Sequence, residues 1–200
     1  VLIFENFQLL DAAGPISALE IAARFHSGAY RIRTVATAAG PVRSSSGACM
    51  QAEAIGSGFA DTLLIVGGEG VREAMQCDHI RRHLQAAASA GSRMASVCSG
   101  SFLLAAAGLL AGRRATTHWG RTSTFARLFP DVLLEPDRIF TCDGNVWTSA
   151  GISAGIDLAL AMITEDLGER IARDTARQLV LPYRRSGGQS QFSAFLESQR

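Results

Sequence analysis

The sequence predicts an α/β fold in which a mainly parallel sheet is covered by helices on both faces. Three observations predict it. Residues 62–66, TLLIV, and 94–97, MASV, are the short, continuously apolar runs shown by strands buried on both faces. Helical patterns separate these runs from one another, the alternation that builds parallel sheets. Finally, MASVCSGSFLL passes from strand to helix within Cys98, Ser99 and Gly100. That handover is a nucleophile elbow, which lifts the residue at the bend out of the sheet and aims a helix N-terminus at it. Gly100 supplies the small neighbour that the crowded bend needs. Unpaired N–H groups at the helix start are expected to depress the Cys98 pKa.

Taken in order, residues 1–4 read as a short apolar strand. The loop FQLLDAAGP follows and carries Asp11 to the C-terminal edge of that strand, where open parallel sheets bind ligands. Pro15 is placed as the first residue of a helix to about His26, with Ile16, Leu19, Ala22 or Ala23, and Phe25 inward. Residues 30–37 alternate like a strand. Gly40-Pro41 and residues 44–47 mark the turns of a small hairpin before a strand at 51–54. The strand at 62–66 ends in Gly67-Gly68-Glu69-Gly70, a loop whose N–H groups can approach a ligand but which lacks the dinucleotide-binding spacing. Asp78 is expected to cap a helix that closes at Ala90-Gly91. His79 and His83 share a face of it, but Arg81 and Arg82 flank them and no third ligand follows; no metal is expected.

Beyond the elbow helix, residues 115–117 form a short strand that delivers His118, a candidate base, with Trp119 lining the core or a pocket. Residues 122–129 are helical and stop before Pro130. Strands follow at 132–134, 139–142 and 146–149, the last two joined by an Asp143-Gly144 hairpin. The next helix opens near Gly151 and buries Ile156, Ala159, Leu160 and Ile163. Small residues at its start predict close packing beneath the elbow. A last helix over 169–181 pairs Glu169 with Arg173. The remainder, RRSGGQSQFSAFLESQR, reads as tail or linker.

Composition narrows the function. The chain is 48% hydrophobic and 18% charged with a net charge of +1, so no global field would hold nucleic acid or an anionic membrane. No run is long enough to span a bilayer and none reads as a charged-then-apolar leader. Cys49, Cys77, Cys98 and Cys142 lack metal-ligand spacing, so reduced thiols in the cytoplasm are expected. The chain starts at Val1, in mid-strand by its pattern, and is expected to be a piece of something longer.

The blocks LLDAAGP, IVGGEG, SVCSGSFLLAAAGLL, RRATTHW, DGNVWTSAGISAGIDLAL and RQLVLPYRRSGGQSQF, in that order, resemble the amidotransferase-like (PfpI-type) domain. The resemblance implies a flavodoxin-like three-layer sandwich. It covers two branches: the N-terminal sensor domain of AraC-type transcription regulators, and isocyanide hydratase, which adds water to an isocyanide. Carried over, the catalytic positions are Cys98, Asp11 and Ser99, with a serine hydroxyl where the hydratase branch has threonine. Ser99 also stands where peptidase-like members have histidine, and no late His-x-Glu pair marks an amidotransferase. On the regulator reading, residues 1–182 form the sensor domain and 183–200 lead toward a helix-turn-helix domain absent from these residues. A small-molecule effector would sit near Cys98, with Gly67, Gly68, Glu69, Gly70, His118 and Trp119 around it. No cofactor is expected, a homodimer is, and DNA would be bound only through the absent domain. The alternative is a hydratase in which a Cys98 thiolate attacks the isocyanide carbon, Asp11 manages protons and Ser99 orients them. Oxidation sensing at Cys98 is a third reading.

Overall fold

A computed structural model of the protein describes residues 1–56, 58–183, 185 and 188–190. In chain order its elements are α1 (Leu9–Phe25), β1 (Val35–Ala36), β2 (Gly40–Arg43), β3 (Cys49–Ala54), β4 (Thr62–Ile65), α2 (Val71–Gln76), α3 (Asp78–Ser89) and β5 (Arg93–Val97). They continue with α4 (Gly100–Ala106), β6 (Arg114–Ala115), a 3-10 turn (Trp119–Arg121), α5 (Thr122–Leu128) and β7 (Leu133–Leu134). The last are β8 (Phe140–Asp143), β9 (Val146–Ser149), α6 (Ala154–Leu167) and α7 (Glu169–Gln178).

The central sheet runs β4-β5-β9-β8, parallel until the antiparallel β8 edge that the Asp143-Gly144 hairpin creates. Residues 1–4 do not form a regular ladder of their own. Leu2 instead bridges Val35 on one side and Ile65 on the other, both parallel, and so joins the β1-β3-β2 group to β4. Two hydrophobic clusters cover the faces. One gathers Leu63, Ile65 and Met94 with Ala74, Ile80, Leu84, Leu104 and Phe125 from α2 to α5. The other gathers Leu64, Ala95 and Val97 with Ala18, Ala22, Leu158, Met162 and Ala172 from α1, α6 and α7. Alternate residues of β4 and β5 thus point into opposite cores, as the period of two requires. This is the expected α/β sandwich of three layers.

Several boundaries differ from expectation. Helix α1 begins at Leu9, not Pro15, and Pro15 lies inside it. A mid-helix proline forfeits a hydrogen bond. Here it is buried against Gly155 of α6, where an added Cβ would meet Pro15 Cγ at 3.3 Å. Gly14 presses on Ile156 in the same way. The buried stripe of α1 is therefore small (Ala12, Gly14, Pro15, Ala18, Ala22), while Phe25 is 44% exposed. Residues 30–37 reduce to β1, and α2 was not foreseen. Asp78 is the first residue of α3 rather than its cap and pairs with Arg81 at 2.5 Å. Helix α7 ends at Gln178, before the expected 181, and Val180 has φ 56°. Its expected Glu169–Arg173 pair forms at 2.7 Å.

The stretch read as tail returns to the body wherever it is described. Gln189 is 6% exposed. Its Nε2 donates toward the carbonyls of Thr117, Pro136 and Arg138 at 2.9–3.0 Å, and its Oε1 accepts from Trp119 N–H at 2.8 Å.

Candidate functional site at the elbow

Strand β5 ends at Val97, and Cys98 takes φ 57°, the left-handed bend that starts α4 two residues later. A non-glycine residue holds that conformation only where its surroundings fix it. Here the Cys98 N–H donates to Ser149 O at 3.0 Å. Its carbonyl accepts from the Ser101 hydroxyl at 3.2 Å and the Thr117 hydroxyl at 3.1 Å. Space is equally fixed. A Cβ on Gly100 would lie 2.4 Å from Ile65 O, and one on Gly67 2.6 Å from Ser99 N.

Asp11, fully buried in the first turn of α1, points at this bend. Its Oδ2 accepts from Gly67 N–H at 3.1 Å and its Oδ1 from Ile152 N–H at 2.7 Å. The Cys98 thiol stands near enough to help stabilise the Asp11 charge. Burial raises the Asp11 pKa from 3.8 to about 6, against the pull of the two N–H groups and the thiol. For Cys98 the expected depression is reversed: burial, then the Asp11 charge, push the thiol up to about 12. The Ser99 N–H and hydroxyl pull the other way. The seven residues of α4 do not outweigh desolvation of the buried thiol and an adjacent carboxylate. The resting pair is a protonated thiol facing a carboxyl group that titrates near pH 6.

The glycine loop is closed to ligands at the amides expected to be available. Gly67 N–H serves Asp11, Gly68 N–H donates to Ser99 Oγ at 3.0 Å, and Gly70 N–H donates to Asn6 O at 3.3 Å. Gly68 and Gly70 instead let residues 5–8 pass: added Cβ atoms would meet Phe7 Cα at 2.5 Å and Glu5 O at 1.9 Å.

Cys98, Asp11, Ser99, Gly67 and Gly68 therefore converge. The other candidates take no part in those hydrogen bonds among the described residues. Glu69 is exposed and pairs with Arg121 at 3.6 Å. His118 is half-buried, its pKa lowered by burial and by Arg121, and its Nδ1 accepts from Gly120 N–H at 3.2 Å. Trp119 is 57% exposed. Among the described residues no hydrogen bond joins His118 to Cys98; the segment reaches the elbow through Thr117. Two participants went unassigned in the sequence. Ile152 contributes only a backbone N–H, from a strained φ of 52°. Thr117 gave no signal beyond its place before His118. Gly151 does pack beneath the cysteine, as its small neighbours implied: an added Cβ would lie 2.8 Å from Cys98 Sγ. Among the described residues no group of His, Cys, Asp and Glu could hold a metal ion, and no helix is long and apolar enough to cross a membrane.

Residues 1–165 match the model of the DJ-1/PfpI family. The chain belongs to that family. Within it, the chain is 35% identical over 188 residues to the isonitrile hydratase of Pseudomonas putida, covering 91% of this chain and 76% of that protein. It is 32% identical over 183 residues to the HTH-type transcriptional regulator CdhR of Pseudomonas aeruginosa, covering 90% of this chain and 54% of the regulator. The chain thus spans about half the length of the regulators it matches. An AraC family transcriptional regulator from Pseudomonas putida superposes with a TM-score of 0.81 at 18% identity, over 89% of this chain and 96% of that one, a likeness of fold. This DJ-1/PfpI chain is thus similar both to transcription regulators and to an enzyme.

Proposed function

We propose that this chain is the ligand-sensing and dimerising domain of an AraC-type transcription regulator acting in the cytoplasm. A small molecule is bound beside Cys98, against Asp11 and Ser99, with Glu69, His118 and Trp119 toward its exposed side. The observation that carries this reading is the burial of the cysteine: Cys98 is 9% exposed, and burial beside Asp11 pushes its thiol up, away from the thiolate that a nucleophile needs. The relation to helix-turn-helix regulators over most of this chain, and only half of theirs, supports it. DNA is then contacted by a domain outside these residues.

The second reading is an isonitrile hydratase, favoured by one specific feature, a buried carboxyl group held close to the Cys98 thiol. With substrate bound, Asp11 takes the thiol proton as sulfur bonds to the isonitrile carbon, and the proton passes to the substrate to give a thioimidate. Water then adds to that carbon, the C–S bond breaks, the thiol is regenerated, and an N-substituted formamide leaves.

Incubation with an aryl isonitrile, followed by formamide assay, separates the two. The sensor reading expects no turnover. Turnover that disappears in Cys98→Ala would replace it with the hydratase. The native reading frame gives an independent test: about a hundred further residues carrying two helices joined by a short turn are expected, and a stop codon near Arg200 would overturn the regulator.

A further inference from the structure

After α7 the chain rejoins the body at Gly188, Gln189 and Ser190, and each of these is fitted to its place. A Cβ on Gly188 would lie 2.2 Å from Asp137 Oδ2 and 2.5 Å from Asp137 O, so the pass is open to glycine. The Gln189 N–H donates to Asp137 O at 2.8 Å, and the Ser190 N–H donates to Asp137 Oδ1 at 2.7 Å. The Gln189 side chain then reaches beyond Asp137. Its Nε2 donates to Thr117 O at 3.0 Å, and its Oε1 accepts from Trp119 N–H at 2.8 Å. One amide thus spans the backbone on both sides of His118.

What Gln189 holds leads to the cysteine. Thr117 is fully buried and donates its hydroxyl to Cys98 O at 3.1 Å. The other hydroxyl on that carbonyl belongs to Ser101, which lies within α4 and moves with the bend. Thr117 ties the same carbonyl to chain outside β5 and α4. The tie matters because Cys98, at φ 57°, keeps its conformation only under constraint. Thr116 fixes the start of the segment, its N–H donating to Thr148 Oγ1 at 2.7 Å, and Gln189 fixes its continuation. Among the described residues Gln189 makes no hydrogen bond to Cys98, so its influence on the bend passes through Thr117.

We propose that docking of Gly188, Gln189 and Ser190 holds Thr117 where its hydroxyl fixes the Cys98 bend, which makes Thr117 a positioning residue and the docked segment a latch on the elbow. Release of the segment loosens the bend and opens the thiol to solvent. As a device that ties the state of the elbow to the chain leaving the domain, the latch rests on the sensor reading. Its test uses no effector, so either can fail alone.

Iodoacetamide alkylation of Cys98 in the full chain, timed by peptide mass spectrometry at fixed pH, reads the opening of the bend, with exposed Cys49 as internal reference. Gln189→Ala and Thr117→Val should each speed Cys98 about three- to tenfold and leave Cys49 unchanged. Thr117→Ser keeps the hydroxyl and should stay within about twofold of the native rate. The double variant should be no faster than Thr117→Val alone, because both act through one contact. Gly168→Ala is strained at φ 86° between α6 and α7, away from this segment, with nothing within 4 Å of the added Cβ. It reads a general loss of stability and should leave Cys98 at its native rate. Circular dichroism establishes that each variant is folded, and Gly188→Ala, which displaces the segment from outside the socket, replaces Gln189→Ala if that one is not. The proposal is overturned by an unchanged Cys98 rate in the folded latch variant or by effects that multiply in the double variant. It is equally overturned if Thr117→Ser matches Thr117→Val, or if Gly168→Ala speeds Cys98 as much as the latch variant does.

Discussion

Replacing Gly151 with alanine would put a methyl group 2.2 Å from Cys98 Cβ, 2.6 Å from its Cα and 2.8 Å from its Sγ. The two nearest, Cβ and Cα, do not lie at the end of a flexible side chain. Cys98 cannot retreat, because its N–H is tied to Ser149 and its carbonyl to Ser101 and Thr117. Two penalties follow. Gly151 has φ 95°, where any residue with a Cβ is disfavoured by about 1–2 kcal/mol. Overpacking a filled site adds about 1–3 kcal/mol. Gly112→Ala isolates the first penalty, since Gly112 has φ 68° but nothing within 4 Å of an added Cβ. Gly151→Ala should therefore lose about 2–5 kcal/mol and Gly112→Ala about 1–2 kcal/mol. At roughly 2–4 °C per kcal/mol for a chain of this size, the overpacking cost of about 1–3 kcal/mol should make the elbow variant melt about 2–12 °C below the Gly112→Ala control. Urea unfolding monitored by circular dichroism reads the same difference as a shift in midpoint. If the two variants unfold together, the elbow is not packed as described.

Asp11 gives stability a pH dependence. Its pKa in the folded protein, about 6, exceeds the ordinary 3.8, so its favourable contribution is complete below the lower value and is lost as pH rises through the higher, about 3 kcal/mol in all. Urea midpoints at about pH 4 and about pH 7 should fall further in the native protein than in Asp11→Asn; equal falls would contradict this assignment. A thiol held at about 12 rather than 9.0 carries about a thousandfold less thiolate at neutral pH. Peptide mass spectra after brief iodoacetamide treatment should therefore show exposed Cys49 modified well before Cys98, and Asp11→Asn should speed Cys98; first modification at Cys98 in the native protein would refute the proton assignment. Ser99→Ala leaves the Gly68 N–H without its acceptor and should cost about 1–3 kcal/mol in urea, against no loss if Ser99 only fills space.

The strands and the elbow were legible because their signals are local. TLLIV and MASV are apolar at every position, and a cysteine followed by Ser-Gly leaves little alternative to a tight bend. Asp11 stood out in the sequence but was placed in a loop, because a proline four residues on resembles a helix start. Only the close pass of Gly155, far along the sequence, makes Pro15 acceptable inside α1. The glycine loop misled for a related reason: its amides are free in sequence, and their acceptors, Asp11, Ser99 and Asn6, arrive only through the tertiary fold. The sign of the Cys98 shift was missed because the helix start is visible in a sequence while burial beside a carboxylate is not. Ile152 acts through its backbone, which no side-chain pattern reports. Gln189 sits among Gly and Ser, the composition of a linker, and only its carbonyl-lined socket reveals a core residue.

That socket bears on how movement could leave this domain. A chain departing from the end of α7 would swing freely and convey little to whatever follows. Here the backbone is caught again at Gln189, gripped by the same short segment whose Thr117 hydroxyl steadies the cysteine carbonyl. One threonine thus touches both, its hydroxyl on the cysteine carbonyl and its own carbonyl on the Gln189 amide.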